Sequence, residues 1–214
     1  MQGGLVHSAD LHKALTRILL QRFRVGSFDP PTALRPYTTI EAGELASAAH
    51  EAVALAAAKE AVCLLYNANG TLPLVLPPGD EAPAGTAAPL IAVLGPMADN
   101  ADVQQGGKSD YVHFLDRVRT IFAGIQSAVV AQGHPPSSVV TAPGVTVTGT
   151  DTDRVAAALA LAAVADVVMV TVGIDGTVEH EGSDRTTIGL PGRQLEFLQN
   201  VTAVVERRQR EVGR

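Results

Sequence analysis

The side chains best equipped for chemistry lie close together near the C-terminal end of the chain. Residues 173–194 read GIDGTVEHEGSDRTTIGLPGRQ and offer Glu179, Glu181 and Asp184 within six positions, beside Arg185. A carboxyl group on a loop can give or take a proton at a reacting atom when the loop reaches into a cleft. A solvated acidic loop is the plainer reading, and composition alone does not separate the two.

Other motifs fall short of the chemistry they imitate. Gly106-Gly107-Lys108-Ser109 looks like the end of a phosphate-binding loop, but Asp102 stands where the first glycine is required. His180-Glu181 lacks a second histidine four residues after the first, and the six histidines show no ligand spacing, so no metal is expected. Neither a GxSxG elbow nor a GxGxxG fingerprint occurs, and no cofactor is expected. Cys63, in the apolar stretch AVCLL, reads as a packed core thiol, and a lone cysteine forms no intrachain disulfide. Asn69-Gly70-Thr71 and Asn200-Val201-Thr202 are glycosylation sequons, a weak hint of secretion.

An α/β arrangement would position the acidic loop. Leu90–Gly95 (LIAVLG) reads as a buried parallel strand, Asp116–Gln132 as an amphipathic helix and Val139–Val147 as a strand. A helix over Asp151–Val164, starting near Asp151 or Thr152, leads to the strongest strand, Asp166–Val172. The polar loop Gly173–Pro191 and a helix from Gly192 to about Glu211 follow. Alternation of this kind specifies a doubly wound parallel sheet, whose functional groups sit on loops after the carboxyl ends of strands. Upstream, Asp10–Phe23 predicts a helix with Asp10 as N-cap, ending by Gly26. Residues 27–39, with Pro30, Pro31 and Pro36, predict an extended linker. A second helix, Glu41 to about Leu65, leads to a hairpin-like turn at Asn67–Gly70, and residues 77–89 form a low-complexity loop.

Composition bounds the partners. The 214 residues are 46% hydrophobic and 18% charged, with a net charge of −6, which suits a globular chain. There is no basic stripe, so nucleic acid and membrane surfaces are not expected partners. The run from Val155 to Val172 is broken by Asp166 and reads as helix then strand, not as a membrane span. No tryptophan and only 4% aromatics leave little for an aromatic sugar cleft.

The acidic segment resembles glycoside hydrolase family 3, in particular its β-xylosidase-like branch. The carriers are Gly173-Ile174-Asp175, Glu179-His180-Glu181, Asp184-Arg185 and Leu190-Pro191-Gly192-Arg193-Gln194, in that order. Residues 57–67 (AAKEAVCLLYN), Leu72-Pro73-Leu74 and residues 91–99 (IAVLGPMAD) are similar to further blocks of the family. Residues 17–31 look like the end of a preceding barrel domain and its linker.

The resemblance implies a retaining exo-β-glycosidase acting on xylan- or glucan-derived β-linked oligosaccharides. It implies an α/β/α sandwich, here a partial doubly wound parallel sheet preceded by a helix and extended linker. Residues 1–38 would be the tail of a (β/α)8 barrel domain plus linker, and residues 39–214 a truncated C-terminal sandwich domain. The family's nucleophile is an aspartate of the barrel, so the barrel would be a partner and this chain alone would be inactive. Glu181 is the implied acid/base, with Glu179 as the alternative register, and Asp184 and Arg185 would support the loop by a paired contact. Around residues 106–111 the match is poor, which leaves any leaving-group subsite unassigned. Relatives in the family are often secreted, although no signal peptide opens this chain. The competing reading is a non-catalytic α/β module that binds a sugar or a protein. An open sheet edge would favour docking.

Overall fold

The computed structural model describes residues 6–33, 39–77, 88–105, 118–150 and 152–213. Two compact units are present, Met1–Thr71 and Leu72–Arg214.

The first unit carries α1 (Ser8–Arg24) and α2 (Ala48–Ala61), and neither helix buries a residue. α1 starts after His7, whose extended backbone ends the preceding chain, so Asp10 falls in the first turn and is not the cap. A carboxylate there faces the positive end of the helix dipole. Gly26, at φ 70°, follows the end of α1. The described part of the expected linker, residues 27–33, turns rather than extends, with Ala33 N–H donating to Pro30 O at 2.8 Å. Proline's fixed φ suits such a turn as well as an extended path. The second helix is shorter than its alanine content suggests. Ala46 at φ 52° breaks the backbone before it, and Ser47 sets its start. Beyond Ala61 the chain is extended, so Cys63 is exposed, contrary to expectation. At Asn67–Gly70 a short 3-10 turn forms, with Asn69 at φ 54°, and no strands flank it among the described residues.

The second unit is built on a parallel sheet. Strands β1 (Ile91–Leu94), β2 (Val139–Ala142) and β3 (Val167–Val170) lie in the order β2-β1-β3. Ile91 pairs with Val139 on one side and Val167 on the other. β1 is central and all four of its residues are buried, as an uninterrupted apolar run requires. Its side chains alternate between two cores. Ala92 and Leu94 join Ala158 and Ala162 of α4 (Val155–Val164) and Phe197 and Val201 of α5 (Gln194–Val212). Ile91 and Val93 face the opposite way, onto Leu76, Val129 and the half-buried Phe122 and Ile125 of α3 (Ile121–Val130). Helices therefore cover both faces of the sheet, a three-layer α/β/α arrangement.

Every β-strand and α-helix described in this unit falls within its expected span, give or take a residue, but most are shorter, and the sequence pattern does not predict the short 3-10 turns at Asp102–Gln105 and Pro136–Ser138. α3 starts at Ile121 because the Thr120 side chain accepts a hydrogen bond from Ala123 N–H at 3.1 Å and caps it. Pro143-Gly144 ends β2 early. α4 begins at Val155, not near Thr152. Asp151, most of residues 77–89, and Gly106–Ser109 lie outside the described residues.

Candidate active site

The carboxyl ends of the strands open onto a cleft of about 710 Å³. Its floor is the turn after β1 (Gly95, Pro96), and one wall is Thr146–Thr148 after β2. Among the described residues, Asp99, Asp102, Asp175 and Arg154 give it three carboxylates against one guanidinium. Such a lining disfavours anions and offers hydrogen bonds to neutral hydroxyl groups. Asp175 and Thr177 join the cleft to the loop that follows β3.

That loop is pinned along its length. Asp175 Oδ1 accepts from Thr177 N–H at 2.9 Å and from its hydroxyl at 2.5 Å, an Asx turn. His180 Nδ1 donates to Gly176 O at 2.9 Å, which fixes the imidazole tautomer because a carbonyl only accepts. The His180 and Ser183 backbones bond reciprocally, at 3.0 and 2.9 Å, and close a tight turn over Glu181-Gly182. Gly182, at φ 81°, supplies the left-handed conformation that turn needs. Arg185 Nε reaches Glu179 Oε2 at 2.9 Å.

The sequence-predicted residues thus take different situations. Glu181 sits exposed at the tip of the turn and makes no hydrogen bond or ion pair with the described residues. Glu179 is occupied by Arg185. Asp184 is exposed and makes no ion pair with Arg185, which goes to Glu179 instead, so the loop-supporting contact joins positions 179 and 185. None of the four lines the cleft. No group of three or more His, Cys, Asp or Glu that could hold a metal occurs among the described residues. No described helix is long and apolar enough to cross a membrane.

One residue carries more of the site than its sequence position announced. Gln194, the first residue of α5, is fully buried. Its Oε1 accepts from Gly173 N–H at 2.8 Å, and its Nε2 donates to Gly173 O at 2.8 Å and Val147 O at 2.9 Å. Two residues earlier Gly192, at φ 59°, lies against the Thr148-Gly149 backbone so closely that a Cβ would meet Gly149 O at 2.9 Å. Gly192 and Gln194 therefore explain the Leu-Pro-Gly-x-Gln run physically: a close approach, then a side-chain clamp. A signal was present, since Gln194, Phe197 and Val201 share one helical stripe that also predicts burial.

A parallel three-layer α/β domain, with a polar cleft and a carboxylate-tipped loop at the strand ends, is the class this chain represents. Its family follows from comparison. The family model described as "Glycosyl hydrolase family 3 C-terminal domain" matches residues 62–207, and the chain belongs to that family. It is 34% identical over 202 residues to the "Probable exo-1,4-beta-xylosidase bxlB" of Aspergillus terreus, covering 93% of this chain and 23% of the relative. It is 32% identical over 199 residues to the "Exo-1,4-beta-xylosidase bxlB" of Emericella nidulans, with 91% and 23% covered. The chain thus spans about a quarter of the length of these relatives. Among solved structures, it is similar to a "GH3 exo-beta-xylosidase (XlnD) in complex with xylobiose aziridine activity based probe". That similarity has a TM-score of 0.74 and 26% identity, over 95% of this chain and 23% of the other. A second likeness, at 24% identity and TM-score 0.73, is to a β-glucosidase described as involved in saponin metabolism from intestinal bacteria; it covers 96% of this chain and 29% of the other, and bears on the fold alone.

Proposed function

We propose that this chain supplies the acid/base domain of a retaining exo-β-glycosidase of the β-xylosidase type, with Glu181 as the acid/base. The observation that carries this reading is the free Glu181 carboxylate at the tip of a loop pinned at each end, in a chain similar to exo-xylosidases. In such a reaction the protonated Glu181 carboxyl gives its proton to the departing glycosidic oxygen while a second carboxylate attacks the anomeric carbon. Glu181, now ionised, then takes a proton from the water that releases the sugar. The two carboxyls must flank the bond at about 5–5.5 Å, one on each side. Glu179 and Glu181, two positions apart on one loop, approach from the same side, so the second carboxylate lies elsewhere; membership of the family implies an aspartate of a (β/α)8 barrel domain. In this reading residues 1–38 belong to the end of that barrel and its linker, residues 39–214 to the sandwich domain, and the assembled enzyme works outside the cell. A neutral β-linked oligosaccharide suits the hydroxyl- and carboxylate-lined cleft.

The test is a chimera in which this chain replaces the matched segment of the Aspergillus terreus relative. The chain alone is expected to leave an aryl β-xyloside intact, and the chimera to hydrolyse it. Glu181→Gln in the chimera should lower turnover of xylobiose about 10²–10⁴-fold. Cleavage of dinitrophenyl β-xyloside, whose leaving group needs no proton, should persist in a first burst. Azide, a nucleophile that needs no base, should restore turnover by displacing the enzyme carboxylate, with xylosyl azide as the product. If the chimera does not fold, the same substitution at the aligned glutamate of the relative decides. Loss of both substrates together, or of neither, would sink the assignment and favour a sugar- or protein-binding module.

A further inference from the structure

Among the described residues, Gln194 is the one polar side chain of the largest fully buried ones. An amide buried without partners loses its hydration with nothing in return, so its three hydrogen bonds are a condition of its presence. All three go to backbone, and to two separate places. Two of them pair the amide with both sides of Gly173, as a neighbouring strand would. The regular ladder has already ended there: β1 stops at Leu94, which accepts from Thr171 N–H at 2.7 Å. Gly173 lies two residues beyond that point. The third bond reaches Val147, in the cleft wall that follows β2.

We propose that Gln194 is a positioning residue that sets where the Glu181 turn stands relative to the cleft. Gly173 opens the loop and Gln194 begins the helix that follows it, and one side chain joins them, so the loop starts and finishes at fixed points. The same side chain ties those ends to Val147, which registers the loop against the opposite wall. Between the fixed ends, the Asx turn at Asp175, the His180–Ser183 closure and the Arg185–Glu179 pair transmit that register to position 181. The role assigned to Glu181 is the one proposed above, so the consequence for catalysis rests on that reading, while the clamp itself does not.

The first experiment uses the 214-residue chain. Amide exchange is followed at Gly173, at the root of the loop, and at His180 and Ser183, at its tip. Gln194→Leu is expected to speed exchange at all three at least tenfold. Gln194→Glu keeps the shape but, when ionised, aims a carboxylate at two carbonyl oxygens. When protonated it regains one donor toward those carbonyls and an acceptor for Gly173 N–H. Burial favours the neutral acid, so protection in this variant should return on acidification and be lost as pH rises, whereas Gln194→Leu should not recover. Tip amides that exchange as in the parent chain, in both variants and at every pH, would overturn the proposal.

The second experiment uses the chimera. Gln194→Leu should lower turnover of xylobiose at least tenfold, leave KM within about twofold, and leave the burst with dinitrophenyl β-xyloside within twofold. A merely structural role would lower both substrates in proportion, and that outcome would also overturn the proposal. If Glu181→Gln fails its own test while the tip amides respond to Gln194, the acid/base assignment falls and the clamp stands.

Discussion

Arg193 and Glu196 face each other across the first turn of α5, with Arg193 Nε donating to Glu196 Oε2 at 2.8 Å and a second guanidinium nitrogen on the other carboxylate oxygen. These hydrogen bonds hold the Glu196 carboxyl below the usual carboxylate range. A depressed carboxyl contributes stability above its unfolded-state pKa and loses it as pH falls through the folded value. The pair's contribution should therefore be intact at neutral pH and disappear in acid, below the ordinary range of a glutamate. Because both groups are solvated, the effect should be small and reduced by salt. Thermal unfolding of the parent and of Arg193→Ala, compared at neutral pH and in acid, checks it: the two curves should converge in acid and separate at neutrality, and a constant gap would refute the pairing. At this scale the sequence carried residue types but not partners. The acidic loop could be picked out from Glu179, Glu181, Asp184 and Arg185. That Arg185 would choose Glu179 depends on a turn closed by His180 and Ser183 and on the left-handed Gly182, which no spacing rule specifies. Gln194 was visible in its motif, yet its buried bonds link positions 147, 173 and 194, which become neighbours only once the sheet exists.

At the scale of elements, apolar runs and β-branched residues were enough to find β1, β2, β3 and the helices of the second unit, because each must bury a face against the same sheet. The boundaries depended on local capping, as at α3. Thr120 accepts from Ala123 N–H and at the same time donates its hydroxyl to Asp99 Oδ1 at 2.7 Å, tying the helix start to the cleft segment after β1. The amphipathic pattern over Asp116–Gln132 does not register this, since both of Thr120's contacts are invisible to periodicity. Thr120→Ala should cost about 1–2 kcal/mol, from the lost cap and the stranded Asp99 contact. Thr120→Ser should recover most of that. Denaturant unfolding of the two variants measures it, and an alanine variant as stable as the parent would contradict the cap. In the first unit the same reading failed for Cys63 and the ends of α2, because the described residues there form no apolar core to reward the pattern: neither helix buries a residue and Val62, Leu64 and Leu65 are exposed.

That asymmetry governs the whole molecule. Every buried hydrophobic residue of the two cores, from Leu76 to Val201, lies within Leu72–Arg214. Burial of side chains such as Ile91, Leu94 and Phe197 contributes about 1.5–3 kcal/mol each, and the residues that make up the two cores around them all lie after position 72. The first unit instead presents Leu15, Ile18, Leu19 and Phe23 on α1 and the apolar stretch after α2 to solvent. Exposed apolar groups in such number promote association. Residues 72–214 produced alone should therefore unfold cooperatively, with a Tm within a few degrees of that of the full chain, and should self-associate less. Calorimetry and light scattering on both forms decide the matter. A non-cooperative transition in the shorter form would mean that the sheet domain draws its stability from the first unit, and unchanged association would move the sticky surface to the sheet domain, with the β3 edge the first place to look.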